Sequence, residues 1–100
     1  MSKLSNSQID DALRSLAGWE RRSEAIARIF EFASFAPAMD FVNRVAEVAE
    51  AANHHPDITI NYNKVTMLLT SHDTGGVTQR DVRMAARISE VAVAATSKAA

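Results

Sequence analysis

The sequence predicts an α+β fold, and three observations predict it. Residues 34–53 carry apolar side chains at helical spacing. Residues 58–62 alternate with period 2 and are followed by a second strand-like run. The chain then closes on another capped, amphipathic stretch. Helices interleaved with antiparallel strands are the expected result. At 100 residues the chain fits a single domain, 1–100, whose small core a shared oligomer interface would supplement.

The first element is a short helix. Ser5 stands three residues before Gln8, the spacing of a capping box, and Ile9, Leu13 and Leu16 recur at helical intervals up to Gly18. The next stretch, "WERRSEAIARIFEFA", is ambiguous. Ile26, Ile29 and Phe30 fit a helix, whereas Ile26, Phe30 and Phe32 would share one side of a strand, and periodicity alone leans slightly helical.

A long helix follows. Ser34 is placed to cap it, and Pro37 falls in its first turn, where a missing N–H costs nothing. Phe35, Met39, Val42, Ala46 and Ala49 make one apolar row, and Phe41, Val45, Val48 and Ala52 a second. So wide a face would serve both a sheet and a partner subunit. "ITINY" at 58–62, the turn-forming "NYNK" and the returning "KVTMLLTS" read as a hairpin. "HDTGGV" reads as a loop. Thr78 and Asp81 form a capping box for the last helix, whose stripe is Val82, Ala85, Ile88, Ala92 and Ala95.

Composition excludes several function classes. A net charge of −1 speaks against nucleic acid or an anionic membrane as the main partner. The absence of cysteine removes disulfides, thiolate nucleophiles and Cys-bearing zinc sites. "MSKLSNSQ" has no apolar signal core, and no apolar run approaches the roughly 18 residues of a membrane span, so the cytoplasm is the expected location.

The chemistry-bearing feature is "NHHPDITINYNKVTMLLTSH", residues 53–72, which holds all three histidines of the chain. Pro56 biases His55 away from the helical region, so the chain turns there, and at a helix exit both imidazoles can face one cavity. A hairpin can return His72 beside them if it shares a face with Thr66, Leu68 and Thr70. Three readings stay open on pattern alone. The histidines can be solvated loop residues. They can ligate a metal, although adjacent ligands diverge and no i,i+4 pair is present. Or they can exchange protons, which imidazole does well near neutrality. Glu50, one turn before His54, is positioned to orient or charge it, or else is an ordinary solvated glutamate. There is neither a nucleophile signature nor a phosphate-binding glycine loop, so any reaction would be proton transfer.

Together, "GWE" at 18–20, "FVNRVAEVAEAANHHPDITINYNKV" and "LTSHDTGGVTQRD" resemble the pterin-4a-carbinolamine dehydratases. That family pattern runs Glu-x-x-x-His-His-Pro, Tyr-Asn-x-Val, Thr/Ser-His, a glycine loop and Thr/Ser-x-x-Asp. It falls here on Glu50, His54, His55, Pro56, Tyr62, Asn63, Val65, Ser71, His72, Gly76, Thr78 and Asp81. The resemblance spans essentially the whole chain. It implies a four-stranded antiparallel sheet with helices packed on one face, in the order α-β-β-α-β-β-α. It thereby makes 24–32 a strand, and it implies a homodimer or homotetramer built by sheet-edge and helix contacts.

The resemblance also implies an activity: dehydration of a 4a-hydroxytetrahydropterin to the quinonoid dihydropterin, recycling the cofactor of aromatic amino acid hydroxylases. His54 and His72 would be the acid–base pair and His55 would bind and orient the pterin, making these three the catalytic set. The pterin site would comprise Glu50, His54, His55, Pro56, Ser71, His72, Asp73, Thr74 and Arg80, with no metal and no organic cofactor. Two departures from the family stand out. Ile58 replaces an aromatic, and Asn53 an acidic residue, so turnover is expected to survive with weaker pterin binding. The competing function, from another class, is a non-catalytic interaction protein of the transcriptional-coactivator kind using the helical face of residues 35–52.

Overall fold

The computed structural model describes residues 2–99, with side chains described through Ala95. The elements run α1 (Asn6–Leu13), β1 (Glu20–Arg22), β2 (Ala25–Glu31), α2 (Phe35–Ala52), β3 (Asp57–Asn61), β4 (Lys64–Leu69) and α3 (Gln79–Ala99). The expected α-β-β-α-β-β-α order is therefore present. The strands form one antiparallel sheet in the order β1-β2-β4-β3.

At α1 the Ser5 hydroxyl accepts from the Gln8 amide while the Gln8 side chain accepts from the Ser5 amide. The helix ends at Leu13, earlier than the apolar stripe implies. Leu16 is still buried, but it arrives on a chain of tighter turns, with the Leu16 amide donating to the Leu13 carbonyl and that of Trp19 to the Leu16 carbonyl.

The segment leaning helical by periodicity is β2. Ile26, Arg28 and Phe30 pair with Leu69, Met67 and Val65 of β4 on the helix-covered face. Arg28 obscures the alternation because it is a charged residue at an inward position. Its guanidinium lies 4.3 Å from the Phe30 ring centroid and donates to Ser89 Oγ at 3.3 Å, so the charge is partnered while its stem packs. Ile29, on the opposite face, is 53% exposed, which is why an apolar count alone misleads here.

In α2 the buried row is Ala38, Phe41, Val45 and Ala49. Phe35 and Ala46 of the first expected row are exposed, and Met39 and Val42 only half-buried, so the core-facing stripe is narrower than the sequence implies. Ser34 occupies the cap position, but its side chain makes no capping hydrogen bond. Phe41 is fully buried at the centre, its ring centroid 4.9 Å from Phe30 and 5.0 Å from Phe32. The β3–β4 hairpin turns through Tyr62 at φ 54, with Asn61 opposite Lys64. Asn63 then anchors the turn by donating its side-chain amide to the Phe32 carbonyl at 2.8 Å.

The buried residues of β4 are Val65, Met67 and Leu69, and this inward set continues to Ser71. The fold thus directs Ser71 into the protein beneath the start of α3, while His72 emerges exposed. Among the described residues no helix is long and apolar enough to cross a membrane.

Candidate active site

The site forms where the end of α2, the loop after β4 and the first turn of α3 meet. Asn53 terminates α2 in the left-handed region (φ 52, ψ 42), and the His54 amide reaches back to the Ala49 carbonyl at 3.1 Å. That reversal turns the His54 ring inward, leaving its side chain 12% exposed. Asparagine tolerates this backbone better than most residues, which gives a local reason for the departure at position 53.

His54 Nε2 lies 2.5 Å from Oδ1 of the fully buried Asp81. The other carboxylate oxygen, Oδ2, accepts from the Thr78 amide at 2.9 Å and from the Ser71 hydroxyl at 2.9 Å. The Ser71 and Thr78 hydroxyls are themselves 2.9 Å apart, and Thr78 Oγ1 accepts from the Arg80 amide at 3.2 Å. A buried carboxylate is tolerated only when its lone pairs are satisfied, and three partners and a helix N-terminus do so here. In the tautomer whose Nε2–H donates to the Asp81 carboxylate, Nδ1 is the ring nitrogen left free.

The loop is fixed around one acceptor. The Ser71 carbonyl receives the amides of Thr74 at 3.1 Å and Gly75 at 2.9 Å, while the Ser71 amide donates to the Gly76 carbonyl at 2.9 Å. Gly75 sits at φ +75, a backbone that L side chains rarely adopt. His72 follows Ser71 directly, so it stands one residue from a partner of Asp81. Thr74 is half-buried, its hydroxyl 3.3 Å from the Ser71 carbonyl.

Asp73 binds Arg80 at 2.7 Å. The hydrogen bond and charge of that guanidinium hold the Asp73 carboxyl below the usual carboxylate range. Arg80 Nε is buried without a hydrogen-bond partner. His55 is more exposed than His54, at 55% of its side chain, and its Nε2 contacts Glu50 Oε2. Glu50 therefore partners His55, and the group that orients His54 is Asp81. Half-buried Pro56 separates the pair from β3. His54 also lines a cavity of about 240 Å³ with Val48, Ala52, Arg80, Arg83, Met84 and Arg87; His55 and His72 do not line it.

Sequence reasoning assigned Asp81 to a helix cap without linking it to His54, and it passed over Arg83 and Arg87. The signal for the arginines was present, since 80, 83 and 87 fall on one helical face. Among the described residues no group of three or more His, Asp or Glu side chains is arranged to hold a metal ion.

Comparison with known proteins gives a consistent picture. Residues 2–91 match the family model described as pterin 4 alpha carbinolamine dehydratase. A relative from Koribacter versatilis is 55% identical over 92 residues, covering 91% of this chain and 98% of its own. Another from Thermomicrobium roseum is 50% identical over 92 residues, covering 92% and 99%. Both carry provisional assignments as pterin-4-alpha-carbinolamine dehydratases. Among solved structures, a transcriptional coactivator/pterin dehydratase from Brucella melitensis aligns with a TM-score of 0.88 at 38% identity, covering 91% of this chain and 99% of that one. A pterin dehydratase-like protein described as a RuBisCO assembly factor in the α-carboxysome shares the fold at a TM-score of 0.62 and 21% identity, covering 74% and 86%.

Proposed function

The chain belongs to the pterin-4a-carbinolamine dehydratase family, and from that premise we propose that it dehydrates a 4a-hydroxytetrahydropterin by histidine acid–base catalysis. The observation that carries this reading is the Asp81–His54 contact at 2.5 Å, which fixes the ring and leaves one nitrogen for substrate. In the reaction the C4a–O bond breaks and the ring nitrogen next to C4a gives up its proton. The electron pair released forms the C4a=N bond of the quinonoid dihydropterin, and the hydroxyl leaves as water. Hydroxide leaves poorly, so an acid must protonate it.

His54 Nδ1 is assigned as the base, with Asp81 holding its tautomer and lying beside the imidazolium that forms. His72 is assigned as the acid. His55, paired with Glu50, binds and orients the pterin together with Pro56, Asp73, Thr74 and Arg80, whereas Ser71, buried with its hydroxyl on Asp81, acts through that carboxylate. The tightly hydrogen-bonded 71–76 loop supports this because a preformed wall loses little order when the ring binds. The physiological setting we assign is cytoplasmic recycling of the cofactor used by aromatic amino acid hydroxylases, by a homodimer or homotetramer and without metal.

The test is the absorbance decay of a synthetic 4a-hydroxytetrahydropterin with purified protein, with and without a chelator. Decay well above the buffer rate and unchanged by chelation is expected. Decay at the buffer rate would remove the dehydratase, and loss of activity on chelation would replace proton transfer by metal chemistry.

A second reading, as an interaction protein, is favoured by the exposed aromatic stack of Phe35 and Tyr62, whose centroids are 6.5 Å apart at an interplanar angle of 12°. A coactivator name on the Brucella melitensis relative points the same way. A Phe35→Ser/Tyr62→Ser variant that keeps full turnover and its oligomeric state but no longer associates with a cellular protein would separate the two roles.

A further inference from the structure

The cavity beside His54 carries chemistry that a neutral pterin ring does not require. Its apolar lining is Val48 and Ala52 of α2 and Met84 of α3, and its charged lining is Arg80, Arg83 and Arg87. Among the described residues Arg83 and Arg87 form no ion pair; the charged pairs engage Arg80 and residues elsewhere. Arg87 also borders a second groove containing Arg44, Glu47 and Glu90, and among the described residues it has no salt bridge to either glutamate. Arg80 shares its charge with Asp73 at 2.7 Å, so Arg83 and Arg87 are the two arginines of this lining with no carboxylate partner among the described residues. Three arginines at i, i+3 and i+7 that line one cavity suit a multiply charged oxyanion, which planar N–H forks grip in pairs.

We propose that this cavity is a subsite for a phosphate-class group borne on the side chain of the pterin. The inference rests on the dehydratase reading, because His54 lines the cavity and so joins it to the reacting centre. The substrate class is then a phosphorylated 4a-hydroxytetrahydropterin, its ring toward His54 and its anion among the arginines. A neutral side chain would leave the same charges facing water.

Calorimetric titration tests this with stable probes: 6-hydroxymethyl-7,8-dihydropterin, its monophosphate ester and inorganic phosphate. The ester is expected to bind about tenfold or more tighter than the alcohol at low salt, with the advantage shrinking as salt rises. Inorganic phosphate alone should bind far more weakly than the ester. Arg83→Gln/Arg87→Gln should bring ester and alcohol close to parity, whereas Arg83→Lys/Arg87→Lys should keep part of the difference. Both side chains are exposed, and an unchanged thermal midpoint verifies folding. Parity in the wild type, or an advantage that survives the glutamine pair, overturns the proposal. So does inorganic phosphate matching the ester, which would mark a free-anion site. Turnover of the neutral carbinolamine is measured separately. Turnover with binding parity removes only the subsite, while ester preference without turnover of either carbinolamine keeps the subsite and removes the reaction.

Discussion

Asp81 reaches His54 Nε2 at 2.5 Å with one carboxylate oxygen and anchors Ser71 and the Thr78 amide with the other. A single buried side chain thus ties the exit of α2 to the loop after β4 and the start of α3. Asp81→Asn places an amide where one oxygen serves two donors and the other an N–H. With its oxygen kept on the Thr78 amide, the new NH2 faces His54 Nε2, which can accept it only if the ring proton moves to Nδ1 and the free base nitrogen is lost. We expect a stability loss of about 1–3 kcal/mol and a fall in kcat on the order of 10²-fold or more, read by urea unfolding and steady-state kinetics. An unchanged kcat would detach Asp81 from the chemistry.

Asn53 sets the angle at which His54 enters. Its left-handed backbone should accept glycine with little loss, while Asn53→Val is expected to cost about 1–2 kcal/mol and to lower kcat by turning His54 away. Thermal unfolding and kinetics on the two variants check both halves. Equal activity in the valine variant would show that the turn does not position the ring.

Phe41 is the centre of the aromatic cluster. Phe41→Ala should destabilise the protein by about 3–5 kcal/mol, measured by urea titration with the m-value compared to the parent. A loss below about 1 kcal/mol would mean that the core repacks around the gap.

The Asp73–Arg80 pair carries a pH signature. Arg80 depresses the folded-state ionisation of Asp73. Its stabilisation is therefore present above the ordinary carboxylate value, near about pH 4, and is lost as pH falls through the lowered folded value. The wild type should exceed Asp73→Asn in thermal midpoint at neutral pH, and the two curves should converge in acid. A gap that persists into strong acid would place the effect elsewhere.

Local chemistry was legible in the sequence and tertiary pairing was not. The Ser5–Gln8 capping box and the 58–69 hairpin follow from short-range patterns, and the structure has them; of the expected Thr78–Asp81 box it has one arm, the Thr78 amide donating to Asp81, while the Thr78 hydroxyl accepts from the Arg80 amide. β2 resisted because Arg28 faces inward and Ile29 outward, an arrangement that the neighbouring strand, the Phe30 ring and Ser89 make stable. The histidine window drew attention to His54, but its partner lies 27 residues away and is selected by the packing of α3. Glu50, the sequence-near candidate, pairs with His55 instead, because the left-handed turn at Asn53 carries His54 off the helical face.

Whether His54 moves a proton of the substrate is decided by single-turnover decay of a neutral 4a-hydroxytetrahydropterin, followed in stopped flow for the wild type and His54→Gln. Wild-type decay is expected far above the buffer rate, with a loss on the order of 10²-fold in the variant and pterin affinity largely retained. A glutamine variant as fast as the wild type, or a wild type no faster than buffer, would contradict that role.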